Sequence, residues 1–384
     1  MENNLKEASV YIHIPFCNSK CSYCDFYSIT EHTPAAAVLE KTLRQTSDYL
    51  ERFGIESVPT VYIGGGTPTS LPSALLEKLF DYIGNLKLSP GAEVTVEANP
   101  ETVTSDLLSL LNGSAVNRLS LGIQSFDNRT LETLGRHCTG ETAEKSLELI
   151  KKRWAGRLNL DFIASVPGQS PESAIRDLEK GLSFYPGHIS LYALTIEEGT
   201  PIARRFDPAD TGAWDESWSR GAEFLEQAGY RRYEISNFSV PGLESRHNIR
   251  YWKLQQYAGA GPGGVSTFYN PSGTGLIRLS GPQDIHRYLE ADDIYYGGER
   301  EDVTFREHVF EYMMMGFRMT EGICCGSFRE LFGKDIGEMI PVTAGNWKRK
   351  GLLRRENEKI FLTPEGLAVL NPFLLEALDE LSDS

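Results

Sequence analysis

Six short β-rich runs, at residues 9–14, 58–63, 93–97, 117–121, 158–162 and 188–194, alternate with amphipathic stretches at 34–53, 72–83, 105–111, 141–154 and 171–184. A strand followed by a helix that returns along it pairs parallel with the next strand, because a tight hairpin would reverse the direction instead. The alternation therefore predicts repeated βα units and an α/β fold built on a parallel sheet. Six units are fewer than the eight of a closed barrel, so either a partial (β/α)6 barrel or a doubly wound sheet is expected. Both gather ligands beyond the C-terminal ends of their strands. We place this domain at residues 1–240, a connecting segment at 241–299 and a small C-terminal domain at 300–384. In the last, helical patterns at 305–318, 327–332, 336–350 and 364–377 surround a hairpin at 352–355 and 359–363, which reads as winged-helix-like.

Polar and glycine-rich features follow successive strands. The first strand leads into Tyr11-Ile-His-Ile-Pro-Phe-Cys17-Asn-Ser-Lys-Cys21-Ser-Tyr-Cys24. A closed zinc site normally takes four ligands, and the candidates His13 and Asp25 lack zinc-finger spacing. A disulfide with a leftover thiol would need an oxidising compartment, yet no apolar signal segment is visible and the other cysteines are scattered. Three thiolates suit an iron–sulfur cluster with one iron left open. After the second strand comes Gly64-Gly65-Gly66-Thr67-Pro68-Thr69, which lacks the Lys-Ser/Thr of a phosphate-binding loop. The third ends at Glu97, the fourth leads to Gln124, and the fifth carries Asp161. Each could singly be a turn or a cap; five in succession point to a ligand site.

The net charge of −15 argues against a generic nucleic-acid binder, and the basic cluster Lys348, Arg349, Lys350, Arg354 and Arg355 has acidic neighbours. No apolar run is long enough to span a bilayer, so a cytoplasmic protein without an integral membrane segment is expected. Oligomeric state is not readable.

These motifs resemble the radical S-adenosylmethionine (SAM) superfamily, whose Cys-x-x-x-Cys-x-x-Cys signature is met by Cys17, Cys21 and Cys24. Over nearly the whole chain the likeness is to the oxygen-independent coproporphyrinogen III oxidase-like group, and within it to its heme-chaperone branch. The runs Leu121-Gly-Ile-Gln-Ser-Phe126, Leu134-Gly-Arg136-His137, Asn159-Leu-Asp161 and Tyr233-Glu-Ile-Ser-Asn-Phe238 carry it further. The resemblance implies a partial (β/α)6 barrel, a 4Fe–4S cluster on the three cysteines, and SAM on its open iron. It places Tyr11 and Tyr23 beside the cluster, and Gly65, Gly66 and Thr67 at the amino-acid end of SAM. Glu97, Gln124, Arg136 and Asp161 would contact its polar groups, and the Ala193 backbone the adenosine.

Phe26 stands where the true oxidases usually carry a further cysteine, and the sequence starts almost directly at the first strand, without their N-terminal extension. Both favour heme binding and transfer to an acceptor protein, with oxidative decarboxylation of coproporphyrinogen III as the alternative and a zinc-stabilised interaction protein as a third reading. The run His247-Asn248-Ile249-Arg250-Tyr251-Trp252 resembles a motif associated with heme, making His247 a candidate ligand. Two departures stand out: Val265 replaces a histidine common in the family, and Ser165 replaces a glycine. Cys324 and Cys325 read as ordinary thiols.

Overall fold

The structure is a computed structural model that describes residues 6–207, 214–270 and 275–382. Strands β1 (Ser9–Ile14), β2 (Val58–Gly65), β3 (Leu88–Ala98), β4 (Arg118–Gln124), β5 (Arg157–Ala164) and β6 (His188–Ala193) lie side by side in chain order and pair parallel. These are the six expected strands, and helices connect them. Thr104, Thr139 and Ser170 cap three of those helices, each side chain accepting the N–H three residues on. Each cap satisfies one of the orphan donors of the first turn.

The strands alternate strictly. Val10, Ile12, Val61, Ile63, Val94, Val96, Leu119, Leu121 and Ile189 are essentially inaccessible and join one hydrophobic core with helix residues such as Leu39, Leu79 and Leu147. The intervening positions, such as Tyr11, Tyr62, Glu97, Ser120, Asp161 and Tyr192, form the opposite, polar face. The curved sheet thus turns an apolar face to its helices and a polar face inward. Tyr192 is 42 % exposed although its phenol lies near Asp161, Glu234 and Glu97, so this inner face is reached by solvent. At the base of the barrel, Arg118 Nε donates to Glu93 Oε2 at 3.1 Å, both side chains almost fully buried.

The sheet continues beyond β6. It includes β7 (Arg231–Arg232), β8 (Asn237–Ser239), β9 (Tyr257–Ala260), β10 (Val265–Tyr269), β11 (Leu276–Ser280) and β12 (Glu299–Val303), in the order β12-β11-β10-β9-β1-β2-β3-β4-β5-β6-β8-β7. Segment 241–299, expected as a connector, supplies four of these strands, or parts of them. In particular β9 runs parallel to β1, with Ser9 opposite Tyr257.

The C-terminal part has its own core around Phe317, Phe328, Trp347 and Phe373. The expected hairpin is present as β14 (Leu353–Glu356) and β15 (Lys359–Leu362), with Asn357 and Glu358 both at positive φ. Two positive-φ residues give a tight turn whose twist matches the flanking strands. A strand not foreseen, β13 (Ile323–Cys324), adds to β15. The helix expected over 336–350 breaks at Ile340 into Ile336–Met339 and Pro341–Arg349, because a residue before proline is pushed out of helical geometry. Among the described residues no helix is long and apolar enough to cross a membrane.

Candidate functional site

The loop after β1 is clamped before the cysteines can spread. Phe16 pairs with Ile29, and the Cys17 N–H donates to the Ile29 carbonyl at 2.9 Å. Ser22 is tied on both sides, its N–H to the Leu134 carbonyl at 3.0 Å and its carbonyl to the Ile202 N–H at 2.9 Å. Between these anchors Cys17, Cys21 and Cys24 are free, half-buried thiols. Burial pushes the Cys17 and Cys24 thiols up.

The end of β2 and the turn after the helix Asn128–Thr133 close on this loop. The Thr67 hydroxyl lies 3.7 Å from Cys17 Sγ, and Arg136 Nη1 lies 3.6 Å from Cys21 Sγ. Asn99 joins them: its Nδ2 donates to Thr67 Oγ1 at 2.8 Å and its Oδ1 accepts from Arg136 Nη2 at 3.1 Å. Arg136 Nη2 also donates to the Gly122 carbonyl at 3.0 Å, while its Nε is buried without a hydrogen-bond partner. Asn99 was not singled out from the sequence. Its place two residues after Glu97 at a strand end was the available signal.

The glycine loop has a packing reason. A Cβ on Gly65, at φ +109°, would meet the His13 ring at 2.6 Å, and one on Gly66 would meet the Phe16 carbonyl oxygen at 2.6 Å. Their absence lets β2 seat against the start of the cysteine loop. Tyr11 faces the barrel interior, where its phenol lies 3.1 Å from His13 Nδ1. Tyr23 packs with Leu134, Ile163, Val166 and Leu194, with Cys21 and Arg136 near its phenol.

Two carboxylates face inward. Glu97 accepts the Tyr62 hydroxyl at 2.7 Å. Its carboxyl is raised to about 7 by burial, which the Tyr62 hydrogen bond opposes and the Asp161 charge reinforces. Asp161 accepts from Ser120 Oγ and Asn159 Nδ2, each at 2.9 Å, and burial raises it too. Behind it, His188 joins Asn159 Oδ1 through Nδ1 and the Tyr233 hydroxyl through Nε2, the latter at 2.8 Å. Asn159, His188 and Tyr233 thus brace Asp161; their roles were missed, though period-2 polar residues on apolar strands mark them. Gln124 takes φ 63° at a register shift between β4 and β5. Ala193 ends β6 opposite Ala164.

His247 lies elsewhere. The helix Arg246–Trp252 places it at the base of the barrel, 1 % exposed. Its Nδ1 is 2.8 Å from Thr60 Oγ1, and its ring sits 5.1 Å from Tyr62 and 4.8 Å from Tyr251, centroid to centroid. Burial lowers it to about 3, so it is neutral, and its Nε2 is buried without a partner. A porphyrin reaches that nitrogen only if the helix moves.

Residues 11–180 match the radical SAM superfamily and residues 303–369 the HemN C-terminal domain. The heme chaperone HemW of Lactococcus lactis subsp. lactis is 33 % identical, covering 97 % of this chain and 99 % of its own length. HemW of Bacillus subtilis is 31 % identical, covering 97 % and 100 %. The chain belongs to the HemW family. Among solved structures, coproporphyrinogen III oxidase (HemN) from Escherichia coli, described as a radical SAM enzyme, superposes with a TM-score of 0.80 over 98 % of this chain and 91 % of that one. Identity there is 19 %, so that likeness is one of fold. The family models place a radical SAM domain before a HemN C-terminal domain, and the superposition agrees with that fold.

Proposed function

We propose that this protein binds heme and passes it to an acceptor protein, on a scaffold holding a 4Fe–4S cluster and SAM. The observation that carries this is the likeness, over almost the full length of both chains, to relatives named heme chaperones. Cys17, Cys21 and Cys24 would hold the cluster, one thiolate on each of three irons. Among the described residues no three His, Cys, Asp or Glu side chains are arranged for a single metal ion. Thiolates serving separate irons need no such convergence.

The surrounding groups fit SAM. Buried Arg136 keeps an unpartnered Nε beside Cys21 and suits a carboxylate. Glu97 and Asp161 are inward carboxylates suited to an ammonium or ribose hydroxyls. Tyr11, Tyr23, Gly65, Gly66, Thr67, Gln124 and the Ala193 backbone complete the proposed set. The group held by Cys17, Cys21 and Cys24 would supply one-electron reduction chemistry toward SAM. The chain's own part is to position through Asn99 and Arg136, to neutralise through the carboxylates, and to limit water with the Tyr23 cluster.

Anaerobically purified protein, with iron and sulfide at cluster stoichiometry, should take up heme and release it to an apo-hemoprotein. A chain with an intact cluster that takes up no stoichiometric heme would sink the proposal.

A further inference from the structure

Tyr62 stands between the inward carboxylates and the helix Arg246–Trp252. Its hydroxyl donates to Glu97 Oε1 at 2.7 Å, and its ring lies 6.2 Å from the Tyr11 ring and 5.1 Å from the His247 ring, centroid to centroid. Burial and the Glu97 charge push the phenol well above its usual range, so it stays protonated and donates. Gly64 seats the pair: a Cβ there would lie 2.9 Å from Glu97 Oε2 and 3.0 Å from Tyr62 Cε1. The other groups facing Glu97 are the Gly65 N–H, Asp161 and the phenols of Tyr11 and Tyr192, none of them cationic.

A second path runs from Asp161 to the same helix. Asn159 and His188 lead to Tyr233, whose hydroxyl accepts the Ser245 N–H at 3.3 Å. Ser245 caps the helix by accepting the Asn248 N–H. His247 is held at the barrel base by Thr60 and by Glu93 Oε1, which accepts its N–H at 3.0 Å. Both carboxylates offered to SAM are therefore joined, contact by contact, to the helix that carries the heme-associated run.

We propose that Tyr62 is a positioning residue: it fixes Glu97 for a cationic group of SAM and, through its ring, holds the helix Arg246–Trp252 against the barrel base when that site is filled. The inference rests on the SAM-binding reading above. A cation beside Glu97 favours the carboxylate, and a hydrogen bond to an ionised acceptor is roughly twice as strong as one to a neutral acceptor. The ring is then pinned where it packs on His247. When the helix swings out, the ring loses that wall and Glu97 loses its fixed donor, so the site binds SAM less well. The coupling is reciprocal by thermodynamic necessity.

The test uses the cluster-loaded full chain under anaerobic conditions. Equilibrium dialysis reads SAM affinity from about pH 6 to about pH 9, across the Glu97 pKa of about 7. Amide hydrogen exchange reads the helix Arg246–Trp252 with and without SAM. In the parent, SAM should slow exchange in that helix severalfold. Tyr62→Phe keeps the ring and loses the hydroxyl. Because the Tyr62 bond lowers the Glu97 pKa, its loss should move the midpoint of SAM binding up by about one pH unit. Binding should then weaken about tenfold near neutral pH and little at high pH, and the SAM-dependent protection should shrink. SAM's own titration is common to both proteins, and a merely structural role would weaken binding equally at every pH. A parental midpoint and parental protection in Tyr62→Phe would overturn the role of Tyr62 and leave the SAM reading standing. SAM binding that leaves helix exchange unchanged in the parent would overturn the hold on the helix. A parent with an intact cluster that binds no SAM would overturn both readings.

Discussion

Arg136 Nη1 reaches Cys21 Sγ at 3.6 Å across 115 residues of sequence. One guanidinium therefore couples the cysteine loop to the ends of β3 and β4, through Asn99 and the Gly122 carbonyl.

Replacing Arg136 by lysine keeps a charge but removes the planar fork that serves these partners together. We expect Arg136→Lys to weaken SAM binding about tenfold or more, by loss of a charge-assisted bond worth roughly 1.5–3 kcal/mol. Iron and sulfide content should stay near parental values, since the three thiolates remain. Anaerobic equilibrium dialysis with metal analysis reads both; full SAM affinity in the variant would remove Arg136 from the site.

Glu97 is strained electrostatically in the absence of a cation. Its folded pKa, about 7, lies above the usual carboxylate value. The folded state then holds a proton that the unfolded state has released, so ligand-free stability should fall as pH rises from about 4.5 to about 7. Glu97→Gln should flatten that slope, stabilise the chain at pH 8 by about 1–3 kcal/mol, and weaken SAM binding. Denaturation midpoints across that range, with and without SAM, decide it. An unchanged slope in the variant would count against the assignment.

Ser165 occupies φ 65°, a left-handed backbone that suits glycine. A left-handed backbone costs a side-chain-bearing residue roughly 1–2 kcal/mol. Ser165→Gly should raise the melting temperature by a few degrees, partly offset by glycine's larger unfolded-state entropy. A lower melting temperature would show that the serine's own contacts outweigh the strain.

His247 packs as a neutral core side chain. His247→Ala should cost about 2–4 kcal/mol through the cavity and the lost bond to Thr60, whose hydroxyl keeps Ser9 Oγ as its acceptor, while leaving the heme spectrum unchanged. Urea denaturation beside hemin titration separates the effects. A lost axial ligand signature with little change in stability would restore His247 as the iron ligand.

The six βα units and the cysteine spacing were legible because each is local. Strand and helix periodicity follows from side chains a few residues apart, and all three thiols lie on one short loop. The strand-end polar residues were legible as a set, since parallel connections bring successive C-terminal ends to one edge. The partners of Asp161 were not: the Asn159–His188–Tyr233 chain joins β5 and β6 to a segment more than forty residues on, and hydrogen bonds across such distances leave no periodic trace. The pairing of β9 with β1 was hidden for the same reason.

By itself, then, the sequence determined the α/β architecture and the family, and offered the three cysteines and the strand-end residues as candidates for a cluster and SAM. Only the tertiary structure decided where the heme-associated motif points. A seven-residue helix presents side chains to all sides, so Arg246–Trp252 carries both a buried imidazole and, on other sides, Arg250 and Trp252, which line an open cleft against the C-terminal domain. Which face turns toward the barrel follows from the packing of Tyr62 and Thr60 against His247, contacts made across 187 residues in the case of Thr60. That cleft exists because two separately cored parts of the chain meet there.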